Sequence, residues 1–362
     1  MKKALFFVFL AFLLIPFSTF AQESEQEIIR AEVLEILSEE TNKPIPGTGL
    51  AGDEQEIRVK ILEGQKEGET VIFFNDFILL EEGDVFYLNF FSDSLGVDLY
   101  SVNDLDRSIP LYVLFGLFVV VVALFAGFQG IRALLSLGIS FFIILYFLLP
   151  QLLAGAPPIV TIILFALLIL IIVMVLTHGF NREVLAALLG TGVSIIITGL
   201  LAHYSIIFTG LSGFTSDEST YLNIATGGSI DLTALLLGAI IIGVLGLLDD
   251  VAITQAHVVS QFKGITPALS KKEIYTKALK IGREHIGALI NTLALAYAGV
   301  SLPLLLLFST SDASVGFIIN RELFATEIVR TIVGSIGLIL AVPLTTLAAL
   351  YLVKEGKEEH LR

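Results

Sequence analysis

Seven stretches of this sequence, 111–128, 132–149, 159–177, 184–207, 231–250, 285–308 and 326–353, are apolar and long enough to cross the roughly 30 Å hydrocarbon layer of a bilayer as helices. Lipid offers no hydrogen-bond partner, so a chain with such stretches is confined to segments that satisfy their own backbone, and helices do so. Composition agrees. The chain is 55% hydrophobic and 15% charged, where a soluble domain carries about 25% charge. The expectation is an α-helical polytopic membrane domain over 108–353, in about seven spans. With no cysteine, neither a disulfide framework nor a thiolate metal site is available.

The chain ahead of these segments has another character. Residues 1–21 place Lys2 and Lys3 before the apolar run ALFFVFLAFLLIPF and the small, polar STFAQ, the anatomy of a signal peptide cut after Ala21 or of an uncleaved N-terminal helix. From 22 to 107, short alternating runs (IIRAEVLEIL, EIRVKILEG, ETVIFFND, DVFYLNFF, VDLYSV) are broken by GTGLAGDE, GQKEG and EEGD. That pattern predicts a small all-β domain of five antiparallel strands, barrel-like and of the OB kind. It holds 21 Asp and Glu against 6 Lys and Arg, a balance that excludes nucleic acid as a partner. The domain has no His cluster and no Gly-rich phosphate loop, which points to a structural cap, with partner binding as the alternative. Lys and Arg concentrate on alternate connections, at Arg132, at Arg182, between Lys263 and Arg283, and in the tail 354–362, while Arg321 stands against the trend. Positive-inside counting then makes 22–107 extracytoplasmic and the tail cytoplasmic, in a bacterial plasma membrane.

Within the apolar chain, GAIIIGVLGLLDDVAITQAHVVSQF, residues 238–262, carries two adjacent aspartates. A carboxylate near the bilayer centre costs at least about 2.5 kcal/mol, so it marks a functional site. As a helix the run places Gly243, Gly246, Asp250, Thr254, His257 and Gln261 on one stripe, small and then polar, expected to face inward. A helix starting at Asp231 takes Asp249 to the inner membrane surface; a membrane helix over 238–262 puts the pair near its middle. Glu284, Gly287 and Asn291 form a stripe on the next helix, and Glu327, Arg330, Gly334, Gly337 and Thr345 another on the last, which together suggest a polar seam. Asp249, Asp250, Asn291, Thr254 and His257 are the proton or ion relay candidates, with Glu284, His285, Glu327, Arg330 and Thr345 in support. Asp250 is expected to approach Asn291, with Thr254 and the Thr345–Thr346 pair as further donors. Glu327 and Arg330 have the spacing of an ordinary helical ion pair. No metal or other cofactor is expected, because no H-x-x-x-H spacing occurs, and no enzyme, because aspartyl chemistry needs two carboxylates facing one water from different helices.

LGLLDDVAITQA, IGREHIGALINTLALAYAGVSLPLLLLF and NRELFATEIVRTIVGSIGLILAVPLTT resemble the YibE/F family of bacterial multipass membrane proteins, over most of 28–352. The resemblance implies architecture more than activity. A weaker similarity of GLLDD is to the membrane helices of resistance-nodulation-division pumps and of SecD and SecF, and by it Asp249 and Asp250 belong to a proton relay. The exported domain is far smaller than in those pumps, and no Lys lies in the seam. Two functions are therefore expected to compete: an ion-coupled permease or export accessory, and a non-transporting scaffold whose β domain binds a partner. The expected partners are the lipid bilayer and a homologous membrane subunit or a second copy.

Overall fold

A computed structural model of the chain describes residues 26–44, 51–92, 97–266 and 268–353. The expected signal segment 1–21 and tail 354–362 lie outside the described residues. Two compact units divide between Leu124 and Phe125.

The first unit holds the five expected strands, β1 Gln26–Pro44, β2 Ala51–Ile61, β3 Thr70–Asn75, β4 Val85–Ser92 and β5 Asp98–Leu105, in one antiparallel sheet of order β3-β2-β1-β4-β5. Alternation fixes which face is buried. Ile29, Ala31 and Val33 of β1, Ile57, Val59 and Ile61 of β2, and Phe86 and Leu88 of β4 form its core. Register shifts along β1, between Val33 and Glu35 and between Ile36 and Ser38, bend this long central strand so that the sheet curls into a half-barrel. The edge strands β3 and β5 face each other through Phe73 and Tyr100, with ring centroids 6.2 Å apart.

Helix α1 runs over Ser108–Leu153 with a π-helical turn at Ile144–Leu148. At Gly127 the backbone leaves helical geometry (φ 56°, ψ −140°), a conformation open to glycine. The expected spans 111–128 and 132–149 are thus one run with a break inside it. The second unit continues with α2 Pro158–His178, α3 Arg182–Thr209, α4 Asp217–Ala225, α5 Leu232–Ile265, α6 Lys271–Val300, α7 Leu302–Ser309, α8 Val315–Asn320 and α9 Glu322–Leu352. Local chemistry sets the starts: Asn181 accepts from Val184 N (2.9 Å), Asp231 accepts from Ala234 N (3.1 Å), and Ser270 and Glu273 close a capping box. Among the described residues five helices, α1, α2, α3, α5 and α9, are long and apolar enough to cross a membrane. The bent pair α6–α7, angled by 67°, brings the number to six. The first two expected segments lie on either side of the Gly127 break within α1, which counts here as a single run.

α3, α5 and α9 pack as a triangle, α2 lies against α3 and α5, and α6 against α9 and α5. Their shared core includes Ile195, Ile240, Ile241, Leu248, Leu338 and Val342. α1 approaches α2, where Ser136 Oγ and Thr177 Oγ1 are 3.4 Å apart.

Candidate functional site

The acidic pair sits in the middle of α5, which begins at Leu232 and continues well past it to Ile265. Its depth can be read from neighbouring helices. Val244 touches Gly334 and Gln255 bonds Thr346, so Asp250 lies between these levels of α9. Exposed Ile332, Ile339 and Leu347 mark that stretch of α9, and exposed Leu189, Val193, Ile196 and Leu200 mark the facing stretch of α3. Large apolar side chains turned outward at these levels form a belt suited to lipid. The pair is inside the belt and not beyond its end, so the placement near the middle of a membrane helix fits better than the placement at its surface.

Its direction differs from expectation. Gly243, Gly246, Asp250, Thr254, His257 and Gln261 share one face, as the spacing requires, but all six are exposed. The face that α5 buries holds Leu237, Ile241, Leu248, Val251, Gln255 and Lys263. The physical reason is packing. Large branched side chains fill the space between α3, α5 and α9, and a face of Gly, Thr and Asp cannot.

Asp249 is half-buried, and its Oδ1 is buried without a hydrogen-bond partner. The charge of Asp250 is within electrostatic reach of His178 at the end of α2. Two turns further along the same stripe, His257 Nδ1 is 3.2 Å from Glu183 Oε2 on α3, and His257 Nε2 is 3.2 Å from Gln261 Nε2. A file of titratable groups therefore runs along one side of α5, joined by the α2–α3 connection. A carboxylate with a spare buried oxygen can take a proton, and an imidazole bonded on both nitrogens can pass one on.

The expected contact between Asp250 and Asn291 is not made: among the described residues no hydrogen bond joins them, and both are exposed. Glu284 is exposed, and His285 is half-buried with an unpartnered Nε2. The α9 stripe does face inward, but mainly toward α3. Thr345 is fully buried against Gly190, where a Cβ would lie 2.5 Å from Thr345 Cα, and Ser194 Oγ donates to Gly337 O at 2.6 Å. The seam among the last three spans is corrected accordingly, because its missing member is α3. Ala186, Gly190, Ser194, Thr198 and Ala202 repeat every fourth residue there, a small-residue ridge visible in the sequence.

Glu327 and Arg330 form their expected pair at 3.1 Å, with side chains half-buried at 24% and 20% exposure. The Arg330 guanidinium lies 5.5 Å from the Tyr297 ring, whose buried, unpartnered hydroxyl fits over Gly243, 2.6 Å from where a Cβ would be. Tyr297 escaped the sequence reading because one tyrosine in an apolar run has no spacing to give it away. Gln255 escaped it as well. Fully enclosed, it donates to Ala278 O (3.0 Å) and Thr346 Oγ1 (2.8 Å) and ties α5, α6 and α9 together. No group of three His, Asp or Glu able to hold a metal occurs among the described residues.

Comparison with known proteins adds one finding. The sequence pattern of the YibE/F-like protein family matches residues 114–355. No curated protein and no solved structure matches the chain.

Proposed function

Because the chain belongs to the YibE/F-like family, and because its helices are long and apolar enough to span a bilayer, we propose that it is a proton-coupled permease or export accessory of the bacterial plasma membrane. The observation that carries this reading is the spare buried oxygen of Asp249 beside Asp250 on a spanning helix. In this reading a proton enters by way of Glu183 and His257, is held at the Asp pair, and leaves when the helices around the pair change their packing. Loop charges support an orientation with residues 22–107 outside and the tail 354–362 inside. Proton flux into proteoliposomes tests the relay: Asp249→Asn and Asp250→Asn should each reduce it at least tenfold. Wild-type flux in both variants would reject it.

A second reading rests on the β unit. Ile72 and Phe74 alternate outward along edge strand β3, and Phe77 and Leu79 follow them, with exposures of 49%, 63%, 64% and 47%. An apolar row on an edge strand suits an extended partner segment, as OB-type barrels and other open sheets accept. This scaffold function gains if Phe74→Asp abolishes activity in cells while proton flux is absent from the wild type.

A further inference from the structure

The outward stripe of α5 has no lipid-like residue. Among the described residues, the exposed positions from Ala239 to Gly264 of α5 are all small or polar, whereas α3 and α9 turn Leu, Ile and Val outward at the same depth. α6 exposes Glu284, Gly287 and Asn291 as well, between the outward apolar side chains of Ile281 and Leu295. Asp250, Thr254 and Asn291 thus stand at belt depth where hydrocarbon can give them no hydrogen bond.

The two stripes are matched in depth. Tyr297 lies over Gly243, and α5 and α6 run antiparallel from there, since Gln255 meets Ala278 and Gly282. Counting seven residues along each helix brings Asn291 level with Asp250, within about a turn. Counted from Tyr297 and Gly243, Gly287 lies within a residue of the level of Thr254, and Glu284 of that of His257; counted from Gln255 and Gly282, each lies about a turn beyond. Each acid on one stripe has an amide, or an imidazole joined to an amide, at its own level on the other. The single chain does not use this complementarity.

We propose that the α5–α6 face is the interface with a second copy of this chain, related by a two-fold axis along the bundle. Such a rotation keeps every residue at its depth, so the α5 stripe of one copy meets the α6 stripe of the other. The Asp250 carboxylate then receives the Asn291 amide across the axis, and Glu284 comes opposite His257 and Gln261. Gly243, Gly246 and Gly287 allow the helices to close to the short distance that such bonds need. A different protein would have to reproduce both stripes; a second copy already carries them. The inference does not rest on proton transfer.

The chain has no cysteine, so an introduced thiol is the sole one. Thr254→Cys and Gly287→Cys, carried on differently tagged copies and expressed together, are oxidised in membranes. Both side chains are outward, and a Cβ at Gly287 meets no atom within 4 Å, so the fold tolerates them; equal elution of the reduced variants from a sizing column checks this. A disulfide dimer bearing both tags is expected, at least tenfold above a control that pairs Thr254→Cys with Ile196→Cys on the outer face of α3. Mixed dimer no higher than this control overturns the proposal. So does Thr254→Cys joining preferentially to itself, or reacting fully with a membrane-impermeant maleimide, which would mean that the face lines water instead.

Discussion

Gly190 and Gly287 offer opposite tests of one substitution. At Gly190 an added methyl group meets the backbone of Thr345, whereas at Gly287 it meets nothing. Gly190→Ala should cost about 1–3 kcal/mol as overpacking, while Gly287→Ala should stabilise the single chain by up to about 1 kcal/mol as the better helix former, as thermal unfolding of the monomer in detergent will show. Asp106 offers a test by pH. It accepts from Ser108 N at 2.9 Å and pairs with Arg30 at 2.7 Å, and bonds from Ser108 first and Arg30 second hold its carboxyl below the usual range. A depressed folded value stabilises above the unfolded value of about 3.9 and ceases to do so as pH falls through the folded one. The protection factors of amides in β1 and β5, relative to intrinsic exchange at the same pH, should therefore fall on acidification below about pH 4, and less steeply in Asp106→Asn. The members of the polar stripe on α5 were legible from spacing; its direction was not. Lipid and core favour the same Leu, Ile and Val, so a helix such as α5 has no sequence contrast between inside and outside.

Helix ends supply the next test. Lys263, almost fully buried, donates to Leu350 O (2.8 Å) and Val353 O (2.5 Å), and Arg182 donates to Leu352 O (3.1 Å), so α5 and α3 together cap α9. Lys263→Met should cost about 1.5–3 kcal/mol, the range for bonds to a charged group, and free the last turn of α9 to exchange. At the opposite end, Glu322 accepts from Ser212 N, Gly213 N and Ser212 Oγ, fastening the loop after α3 to the start of α9. Elements were mostly readable. The five strands followed from alternation and the start of α5 from Asp231, whereas α6, expected from 285, begins at Lys271 behind the Ser270 cap. The break inside α1 was nearly readable: Gln129 and Gly130 look like a connection, and the break falls just before them, at Gly127.

The chain passes from the first unit to the second between Leu124 and Phe125, close in sequence to this glycine. Gly127→Val forces a branched side chain into a backbone conformation that L-residues avoid. It should lower the yield of folded chain, measured as the monodisperse fraction after solubilisation, whereas valine at Gly116, a glycine with free space around it and an ordinary φ, should not. The β unit and the helical unit could each be recognised because their periodicities differ so plainly. The α3–α9 ridge was missed because small residues at every fourth position look, one at a time, like filler.

The off-centre level of Asp250 has an electrical consequence. It stands about 10 Å from the nearer end of the apolar belt, near Leu347, and about 20 Å from the other. A charge moved from the nearer face to that carboxylate crosses roughly a third of the membrane field, about 0.8 kcal/mol per 100 mV. Its protonation midpoint should then move by only about half a pH unit per 100 mV. About two-thirds of the voltage sensitivity of any transport cycle would fall on the step between the aspartates and the far side.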